Sequence, residues 1–478
     1  MLRFKFILFA ILLIQVFASS ATEYAQPGFY DVQHHILDNG MHIILKKRGT
    51  ARNVAIRLSV EVGTLDFPCG KRETTHFLEH LLFTGTSKHS EEQLDEVISS
   101  HGGYWNASAL QHQTRYEIDI FSRHSDVAMD TLFEIITDST ITDENIEKSR
   151  NIIYREDGGK RSSFRRWLYQ NNIIQIASEK SRNHLYPTIE INCKDPDNIT
   201  GITKTDILDT YQQYYNPNRM TMVIVGDINP DDMLNHINKT FGKLKAGTAA
   251  INRKHPPFPD EPQIFESQFS PILGSEAHIS TSFRTNGYIS SDYYAMNIIE
   301  KYLTDTMYNT LRVQNGLAYA PSAQQNNLIH YGRISMESDT RIEDIDRNIQ
   351  LIESIYMKPP EKIFTEEKVR SLKKKLLLGM AQDFEANSNF ADYYANSAYE
   401  LEEFGKFVNT EQKTADVTRD DVIRVYSRYI NKNNSVISIE TPTLTYTQFY
   451  LLILAIVSIF TLILFWYLRH KSQTSKRQ

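Results

Sequence analysis

The chain has 478 residues, which is enough for two ordinary domains and further segments. Its formal net charge of −6 is small for this length, so the composition predicts no nucleic-acid partner. Its two cysteines, Cys69 and Cys193, fit no zinc-finger spacing.

The first 20 residues are predicted to be a secretory signal peptide. Arg3 and Lys5 supply a positive start, residues 6–17 are apolar apart from Gln15, and small residues follow at 18–21. This combination of charge, length and cleavage chemistry is typical of an export signal. An uncleaved anchor is the alternative, and the short apolar run argues against it.

The most informative motif is His76-Phe77-Leu78-Glu79-His80. Two histidines four residues apart lie on one face of a helix, one turn apart, so both imidazoles can bind one metal ion. Glu79 leans toward the same site, where it can take a proton from an attacking water without being a ligand. The order H-x-x-E-H is the inverzincin pattern and predicts zinc-dependent peptide hydrolysis.

The five residues alone do not decide between a metal site and a solvated helix face. Their surroundings favour the metal site, because residues 77–83 also contain three leucines and two phenylalanines. A helix that is apolar nearly all round is expected to be buried, and buried His and Glu side chains need partners. A metal ion would satisfy all three polar residues together.

An internal repeat predicts two domains of like fold. Ile202–Tyr215 has an echo in Val417–Ile430, and each is predicted to form a helix with Thr at its start and a β-branched strand after it. A second pair, starting at Ile141 and Phe364, also opens helices with a Thr N-cap and an acidic first turn. The copies lie about 215 to 225 residues apart.

The predicted fold class is α+β, with two homologous domains, each a mainly antiparallel sheet covered by helices. Strands are expected near residues 54–62, 116–121 and 221–225. The peptidase domain is placed at 26–245, the linker at 246–265 and the C-terminal domain at 266–440, because the linker is rich in small residues and proline. The second domain contains no H-x-x-E-H, so it is expected to be metal-free.

The chain ends in a predicted transmembrane helix at residues 449–468, which completes the predicted fold class. These 20 residues carry no charge and match the span of a bilayer core. Aromatic residues stand at both ends, and the tail 469–478 is basic. By the positive-inside rule the tail is cytoplasmic and the body lies outside the cytoplasm on a single tether.

With these residues, the chain resembles the pitrilysin-type (M16) metallopeptidases over about residues 30–439. It is most similar to members with one pair of domains per chain, such as the β subunit of mitochondrial processing peptidase and bacterial homologues. The family's H-F-L-E-H matches residues 76–80. Its third zinc ligand, a glutamate in a helix that reads E-R-x-V-I-x-R-E, matches Glu156, which lies 76 residues beyond His80. The resemblance implies one Zn²⁺ per chain, held by His76, His80 and Glu156. In the second domain, the spacing of the repeated helix pair places Gly379 opposite Glu156.

Two further segments match the family. Residues 102–107, Gly-Gly-Tyr-Trp-Asn-Ala, resemble its edge strand, through which Asn106 and Ala107 would pair with the substrate backbone. Residues 311–319 resemble its R-x-x-x-G-L-A-Y segment, so Arg312 and Tyr319 would reach across the chamber to the substrate near the scissile bond. Without the family, a surface arginine in a turn and a packed tyrosine are the plainer interpretations.

The chain departs from the family at a few positions near the site. The supporting glutamate on the helix of the third ligand is Ser149 here, which removes a carboxylate that would orient a ligand. The glycine three residues before the first histidine is Glu73, and residues 75, 109 and 112 also differ. None of these changes removes a ligand or Glu79.

The expected function is that of a membrane-anchored zinc metalloendopeptidase acting on peptides or unfolded polypeptide segments, with Glu79 as general base. Family members enclose substrate between two pairs of domains, and this chain supplies one pair. The resemblance therefore implies a homodimer, or a heterodimer with a related M16 chain.

Two rival functions are a non-catalytic M16-like binding or assembly subunit and a membrane-tethered scaffold with structural zinc. Non-catalytic relatives generally lack some of the metal residues, and this chain retains them all, although Ser149 keeps that function open. A structural zinc site would gain nothing from Glu79, an unliganded carboxylate beside the metal.

The expected location is a bacterial inner membrane, with the body facing the periplasm. A eukaryotic secretory-pathway membrane is the alternative, and only there would the sequons at Asn198 and Asn238 be glycosylated. Cys69 and Cys193 can form a disulfide in an oxidising compartment, but two free buried thiols are the expectation.

Overall fold

The computed structural model describes residues 29–49, 52–160, 162–171, 176–187, 199–248, 253, 256–258, 261–268 and 271–475. Within these ranges the chain builds two helix-flanked sheets, which confirms the α+β prediction. The predicted signal peptide at 1–20, Cys193 and Asn198 lie outside the described residues.

The first sheet has six strands, all from the first half of the chain. The strands are β1 (Gln33–Ile36), β2 (His42–Lys47), β3 (Asn53–Val60), β4 (Tyr104–Ala109), β5 (Thr114–Phe121) and β6 (Met220–Gly226). Their order is β1-β2-β6-β3-β5-β4, and all neighbours are antiparallel except β2 and β6. The central strands β3 and β6 are buried along nearly their whole length, whereas β4 pairs only with β5 and forms an edge.

The first half of the chain has eight α-helices among the described residues. They are α1 (Thr74–Leu81), α2 (Glu91–Ser99), α3 (Ser125–Asp138), α4 (Asp143–Glu156), α5 (Ser163–Gln170), α6 (Ala177–Leu185), α7 (Lys204–Tyr214) and α8 (Pro230–Lys239). All of them except α5 and α6 contribute buried side chains to one core against the sheet. Packing of each apolar stripe against the strands fixes where each helix lies.

The second sheet has five strands and repeats the order of the first without a counterpart of β1. The strands are β7 (Gln263–Ser267), β9 (Glu276–Asn286), β10 (Ser322–Asn327), β11 (Tyr331–Arg341) and β12 (Ser435–Glu440), and a separate pair is β8 (Leu273–Gly274) with β13 (Leu444–Thr445). The order is β10-β11-β9-β12-β7, again with one parallel pair, β12 and β7. Strand β7 begins inside the predicted linker 246–265, because its residues pair with β12.

The helices of the second half follow the same plan. They are α9 (Tyr293–Met307), α10 (Ile345–Tyr356), α11 (Pro360–Ile363), α12 (Glu366–Asp383), α13 (Asn387–Asn396), α14 (Tyr399–Phe404), α15 (Thr410–Asp416) and α16 (Arg419–Tyr429). A π-helical segment, Tyr308–Gln314, continues α9.

The predicted helix caps of the repeat are present. Thr203 and Thr418 begin α7 and α16 with reciprocal capping boxes that use Asp206 and Asp421. The N-caps of α4 and α12 are threonines as well. Each cap side chain satisfies a backbone N–H that the first turn leaves without a partner, so the same local signal starts the same helix in both halves.

The two halves exchange one helix each. Helix α13 of the second half packs on β2, β3 and β6, where Phe390 and Tyr394 join a core with Ile44 and Val223. Helix α6 of the first half packs on β7 and β12, and the backbone N–H of its Ala177 donates to Ser267 Oγ at 3.1 Å. Each sheet therefore has its own helices on one face and a helix from the other half on the opposite face.

A long apolar helix, α17 (Tyr446–Ser475), ends the described chain. Residues 446–469 are long and apolar enough to cross a membrane, with a mean hydropathy of 2.7, and their most apolar window is not buried. The predicted span at 449–468 lies inside this helix, which is the only such candidate among the described residues.

Cys69 is disulfide-bonded and half-exposed, in a short 3-10 turn of residues 69–71. The expectation of free, buried thiols is therefore wrong for this residue. The turn follows Pro68, and none of its three residues is buried. The only other cysteine in the chain is Cys193.

Candidate metal centre

Helix α1 separates its apolar and polar residues onto two faces. Its fully buried apolar residues are Phe77, Leu78 and Leu81. On the other face, the side chains of His76, Glu79 and His80 are 25%, 13% and 19% exposed, respectively. Burial of one face in the core thus fixes the direction in which the three polar side chains point.

Glu156 is the last residue of α4, which packs against α1. Buried Ile146 and Ile153 hold α4 in the same core. One Glu156 carboxylate oxygen, Oε2, lies 3.1 Å from His76 Nε2 and 3.4 Å from His80 Nε2. The structure thus brings together three residues that are up to 80 positions apart in the sequence.

These three side chains fit a metal ion. The Nε2 atoms of His76 and His80 are 3.3 Å apart, and the ligand atoms that His76, His80 and Glu156 offer all lie within 4.8 Å of one another. Two imidazoles and a carboxylate suit zinc, and three protein ligands leave a coordination position open, as in catalytic zinc sites. Among the described residues no other group of three or more His, Cys, Asp or Glu side chains has this arrangement.

Glu79 lies beside the same point without belonging to the group. Its Oε2 atom is 3.9 Å from His76 Nε2 and 3.6 Å from His80 Nε2. Burial raises the pKa of Glu79 above its ordinary value, although the two histidines act in the opposite direction. A carboxylate with a raised pKa is a stronger proton acceptor than an ordinary glutamate, as a general base requires.

Glu73 contacts His76 from the opposite side. Its Oε2 atom lies 3.0 Å from His76 Nδ1, the ring nitrogen that faces away from Glu156. Burial alone would lower the pKa of His76, but the hydrogen bond with Glu73 and the charges of Glu73, Glu79 and Glu156 outweigh it and raise the pKa. The sequence marked Glu73 only as a departure from the family, although its spacing of three residues from His76 places both on one helix face.

Edge strand β4 forms one wall of the cleft that contains these residues. The cleft has a volume of about 670 Å³, and residues 105–109 of β4 line it together with α1 and α4. Asn106 is exposed, Ala107 is buried, and the unpaired edge of β4 is open to an incoming strand. The structure thus places the predicted substrate-binding strand beside the candidate metal ligands.

Arg312 and Tyr319 are not part of this cleft within one chain. Tyr319 is 80% exposed, its backbone carbonyl accepts a hydrogen bond from Arg312 Nη1 at 2.7 Å, and the guanidinium lies 4.5 Å from the centre of its ring. The alternative interpretation of Tyr319 as a packed tyrosine is therefore wrong. The half-buried Arg312 and the exposed Tyr319 thus form a contacting pair on the second half of the chain.

Two family models match the chain. Residues 42–172 match "Insulinase (Peptidase family M16)", and residues 201–376 match "Peptidase M16 inactive domain". The candidate ligands all fall in the first range and the Arg312–Tyr319 pair in the second. The two matches follow the division between a half with the candidate metal site and a half without it.

Curated relatives are similar along much of the chain. An "uncharacterized zinc protease" of Rickettsia felis is 22% identical over 82% of this chain and 93% of the relative. The "uncharacterized zinc protease YmxG" of Bacillus subtilis is 21% identical over 67% of this chain and 77% of the relative. The β subunit of mitochondrial-processing peptidase from Bos taurus is 27% identical, but the match covers 43% of this chain and 41% of that subunit.

Solved structures share the fold. A protease from Helicobacter pylori aligns with a TM-score of 0.71 and 19% identity, over 86% of this chain and 99% of the other. The periplasmic protease PqqL from Escherichia coli aligns with a TM-score of 0.69 and 17% identity, over 86% of this chain but 45% of PqqL. Together with the two family models, these likenesses place the chain in the M16 peptidase family.

Proposed function

We propose that the protein is a zinc metalloendopeptidase that hydrolyses peptides or unfolded polypeptide segments. The observation that carries this proposal is the convergence of His76, His80 and Glu156 on one point, with Glu79 beside it and outside the ligand set. A site built only to hold a metal for stability would not need that fourth, partly buried acid. The zinc-protease names of the relatives support the same activity.

His76, His80 and Glu156 would hold Zn²⁺, which supplies a Lewis acid to polarise the peptide carbonyl and acidify water. Glu79 would accept the proton of the attacking water, because its carboxylate lies 3.6 Å from His80 Nε2, beside the candidate ligands, and burial raises its pKa. Glu79 then gives the proton to the leaving amine, so one side chain acts first as base and then as acid.

Strand β4 would bind the substrate as an added strand of the first sheet. Main-chain hydrogen bonds from Asn106, Ala107 and their neighbours hold an extended peptide whatever its side chains are. The exposed edge and its place along the cleft support this mode. The substrate class is therefore extended or unfolded polypeptide.

We propose that the active form is a dimer, either of two copies or with a related M16 chain. One chain matches 45% of PqqL, which supports an assembly with a second pair of domains. Tyr319 is exposed, Arg312 is half-buried, and both lie outside the cleft of their own chain, so we expect them to reach substrate in the cleft of a partner. There they would hold substrate carbonyls or the developing oxyanion.

We further propose that α17 anchors the protein in a bacterial inner membrane, with the catalytic body in the periplasm. The length, hydropathy and exposure of this helix support an anchor. The disulfide at Cys69 supports an oxidising compartment, and PqqL is itself described as periplasmic. A eukaryotic secretory membrane is equally oxidising and is the alternative. The domain boundaries at 26–245, 246–265 and 266–440 stay predictions.

The proposal is tested with the full chain in detergent, loaded with zinc and given a library of unfolded peptides. The matched variant is Glu79→Gln, which keeps the shape of the side chain and removes its basicity. We expect cleavage by the parent and a loss of about 10²- to 10⁴-fold in the variant at unchanged zinc content. Equal rates for the two proteins would overturn the role of Glu79.

The second candidate function is that of a non-catalytic M16 subunit in a heterodimeric peptidase. It is favoured by Ser149, a fully buried residue beside the ligands that stands where the family has a supporting glutamate. Zinc binding by the purified chain without cleavage of any peptide, alone or as a homodimer, is the result that this function predicts.

A further inference from the structure

The side chain of Glu73 has one contact that bears directly on the candidate metal centre. Glu73 precedes α1, and its carboxylate makes no capping hydrogen bond to that helix. Instead its Oε2 atom lies 3.0 Å from His76 Nδ1, in a contact where both side chains are about three-quarters buried, at 24% and 25% exposure. The Glu73 carboxylate therefore contacts the histidine ring and does not cap the helix.

We infer that Glu73 is a positioning residue that fixes the tautomer and the ring orientation of His76. A carboxylate only accepts hydrogen bonds, so His76 Nδ1 must carry the proton and donate it. The lone pair of the neutral ring is then on Nε2, the atom that faces Glu156 and His80. The inference rests on the proposed zinc site, because it concerns how one ligand of that site is held.

The opposite wall of the cleft offers no such carboxylate. Ser149 on α4 is fully buried, lines the same cleft, and its Oγ atom has no hydrogen-bond partner in the structure. Its short side chain makes no recorded contact with either histidine. The two departures from the family pattern, Glu73 and Ser149, are therefore complementary: an acid stands at the start of α1, and none stands at this position of α4.

Orientation of a ligand changes metal affinity as well as turnover. A histidine whose non-coordinating nitrogen is hydrogen-bonded to a carboxylate is a more basic ligand. Its ring is already oriented, so it loses less conformational entropy when the metal binds. Loss of such a partner typically lowers metal affinity by about 10- to 100-fold. The dissociation constant for zinc is thus a direct readout that does not depend on catalysis.

The test compares full-length parent, Glu73→Ala, Glu73→Gln and Ser149→Ala, with zinc affinity measured by competition against a chromophoric chelator. We expect Glu73→Ala to raise the dissociation constant about 10- to 100-fold. Glu73→Gln keeps an oxygen that can accept from Nδ1 and is expected to lose less. Ser149→Ala is the matched control, because it changes a buried residue of the same cleft that makes no hydrogen bond with His76, and its zinc affinity should equal that of the parent.

A structural role alone would give a different result. In that case Glu73→Ala would lower the melting temperature of the metal-free protein and leave the zinc dissociation constant unchanged, which would overturn the inference. His76→Ala separates this failure from failure of the proposed function. If the parent binds zinc no better than His76→Ala, the zinc site itself is wrong; if the parent binds and Glu73→Ala binds equally well, only the role of Glu73 is wrong.

Discussion

The two halves of the chain share a sheet order, a parallel strand pair and threonine-capped helices, but they differ in what their helices carry. In the first half, α4 ends at Glu156, beside the histidines of α1. In the second half, α12 has Gly379 at the matching distance from its cap and continues to Asp383. The scaffold is common to both, so the chemistry depends on a few side chains placed on it.

The largest difference between the halves is expected from a matched pair of substitutions, Glu156→Ala and Gly379→Ala. Glu156→Ala removes a ligand and should therefore weaken zinc binding strongly. The loss of affinity should exceed the roughly 100-fold loss that follows when only a hydrogen-bond partner of a ligand is removed. Gly379→Ala places a methyl group in open space inside a helix, so it should leave zinc affinity unchanged and stabilise α12 by about 0.5–1 kcal/mol. Chelator competition and denaturant unfolding measure the two effects. A change in zinc affinity at Gly379 would contradict the division of roles.

The next effect concerns the contact that joins the halves. Arg57 on β3 is 3% exposed and lies 2.7 Å from both Asp119 and Asp392, the latter on α13. Arg57→Met should lower the free energy of unfolding by about 2–3 kcal/mol. This loss is small for the breaking of a buried ion pair, because the carboxylates of Asp119 and Asp392 are partly exposed. Urea unfolding measures the loss.

The control for Arg57 is Arg341→Met. Arg341 pairs with Asp344 and Glu343 at the surface, with 65% of its side chain exposed, so Arg341→Met should leave the free energy of unfolding close to that of the parent. Equal losses at the two arginines would show that the contact between the halves contributes no more than a surface ion pair.

The pH dependence of zinc binding probes the first half alone. The pKa of His76 is raised, so its ring binds a proton at a higher pH than an ordinary histidine does. That proton must leave before a metal binds, and zinc affinity should therefore fall about tenfold per pH unit below the pKa of His76. Titrations from about pH 8 down to pH 5 measure it. In Glu73→Gln the fall should begin at a lower pH, and an affinity that does not change with pH would contradict the ligand role of His76.

The smallest effects should be equal in the two halves. Thr203→Ala and Thr418→Ala each remove the same capping box, and each should lower the free energy of unfolding by about 1 kcal/mol. Neither residue contacts the candidate ligands, so zinc affinity should stay at the parent value. A change in zinc affinity in only one variant would show that α7 or α16 supports the site.

Local patterns in the sequence predicted the parts of the fold that depend on neighbours along the chain. Thr203 and Thr418 predicted where two helices begin, because an N-cap side chain bonds to the backbone within the first turn of its own helix. Alternating and β-branched runs predicted β3, β5 and β6 to within a few residues. The histidine spacing predicted α1 and the direction of its polar face.

The exchange of α6 and α13 was not predicted, since it depends on contacts distant in sequence. The apolar residues of β3 and β6 show that both faces of the sheet are covered, but not which helix covers them. Likewise, the family pattern named Arg312 and Tyr319, whereas their position outside the cleft and the exposure of Tyr319 follow from the fold of the second half. The contact of Glu73 with His76 had a signal, an acid three residues from a ligand, that the family comparison treated only as a departure.

Because the two halves exchange helices, neither half is expected to be stable as a separate fragment. A chain cut in the linker would lose α13 from the first sheet and expose Ile44, Ala55, Val223 and Val225, which are now fully buried. Such a fragment would present an apolar surface prone to aggregation, so the halves are not modules that can be recombined. For the same reason the two halves of one chain are expected to move together as a single rigid body.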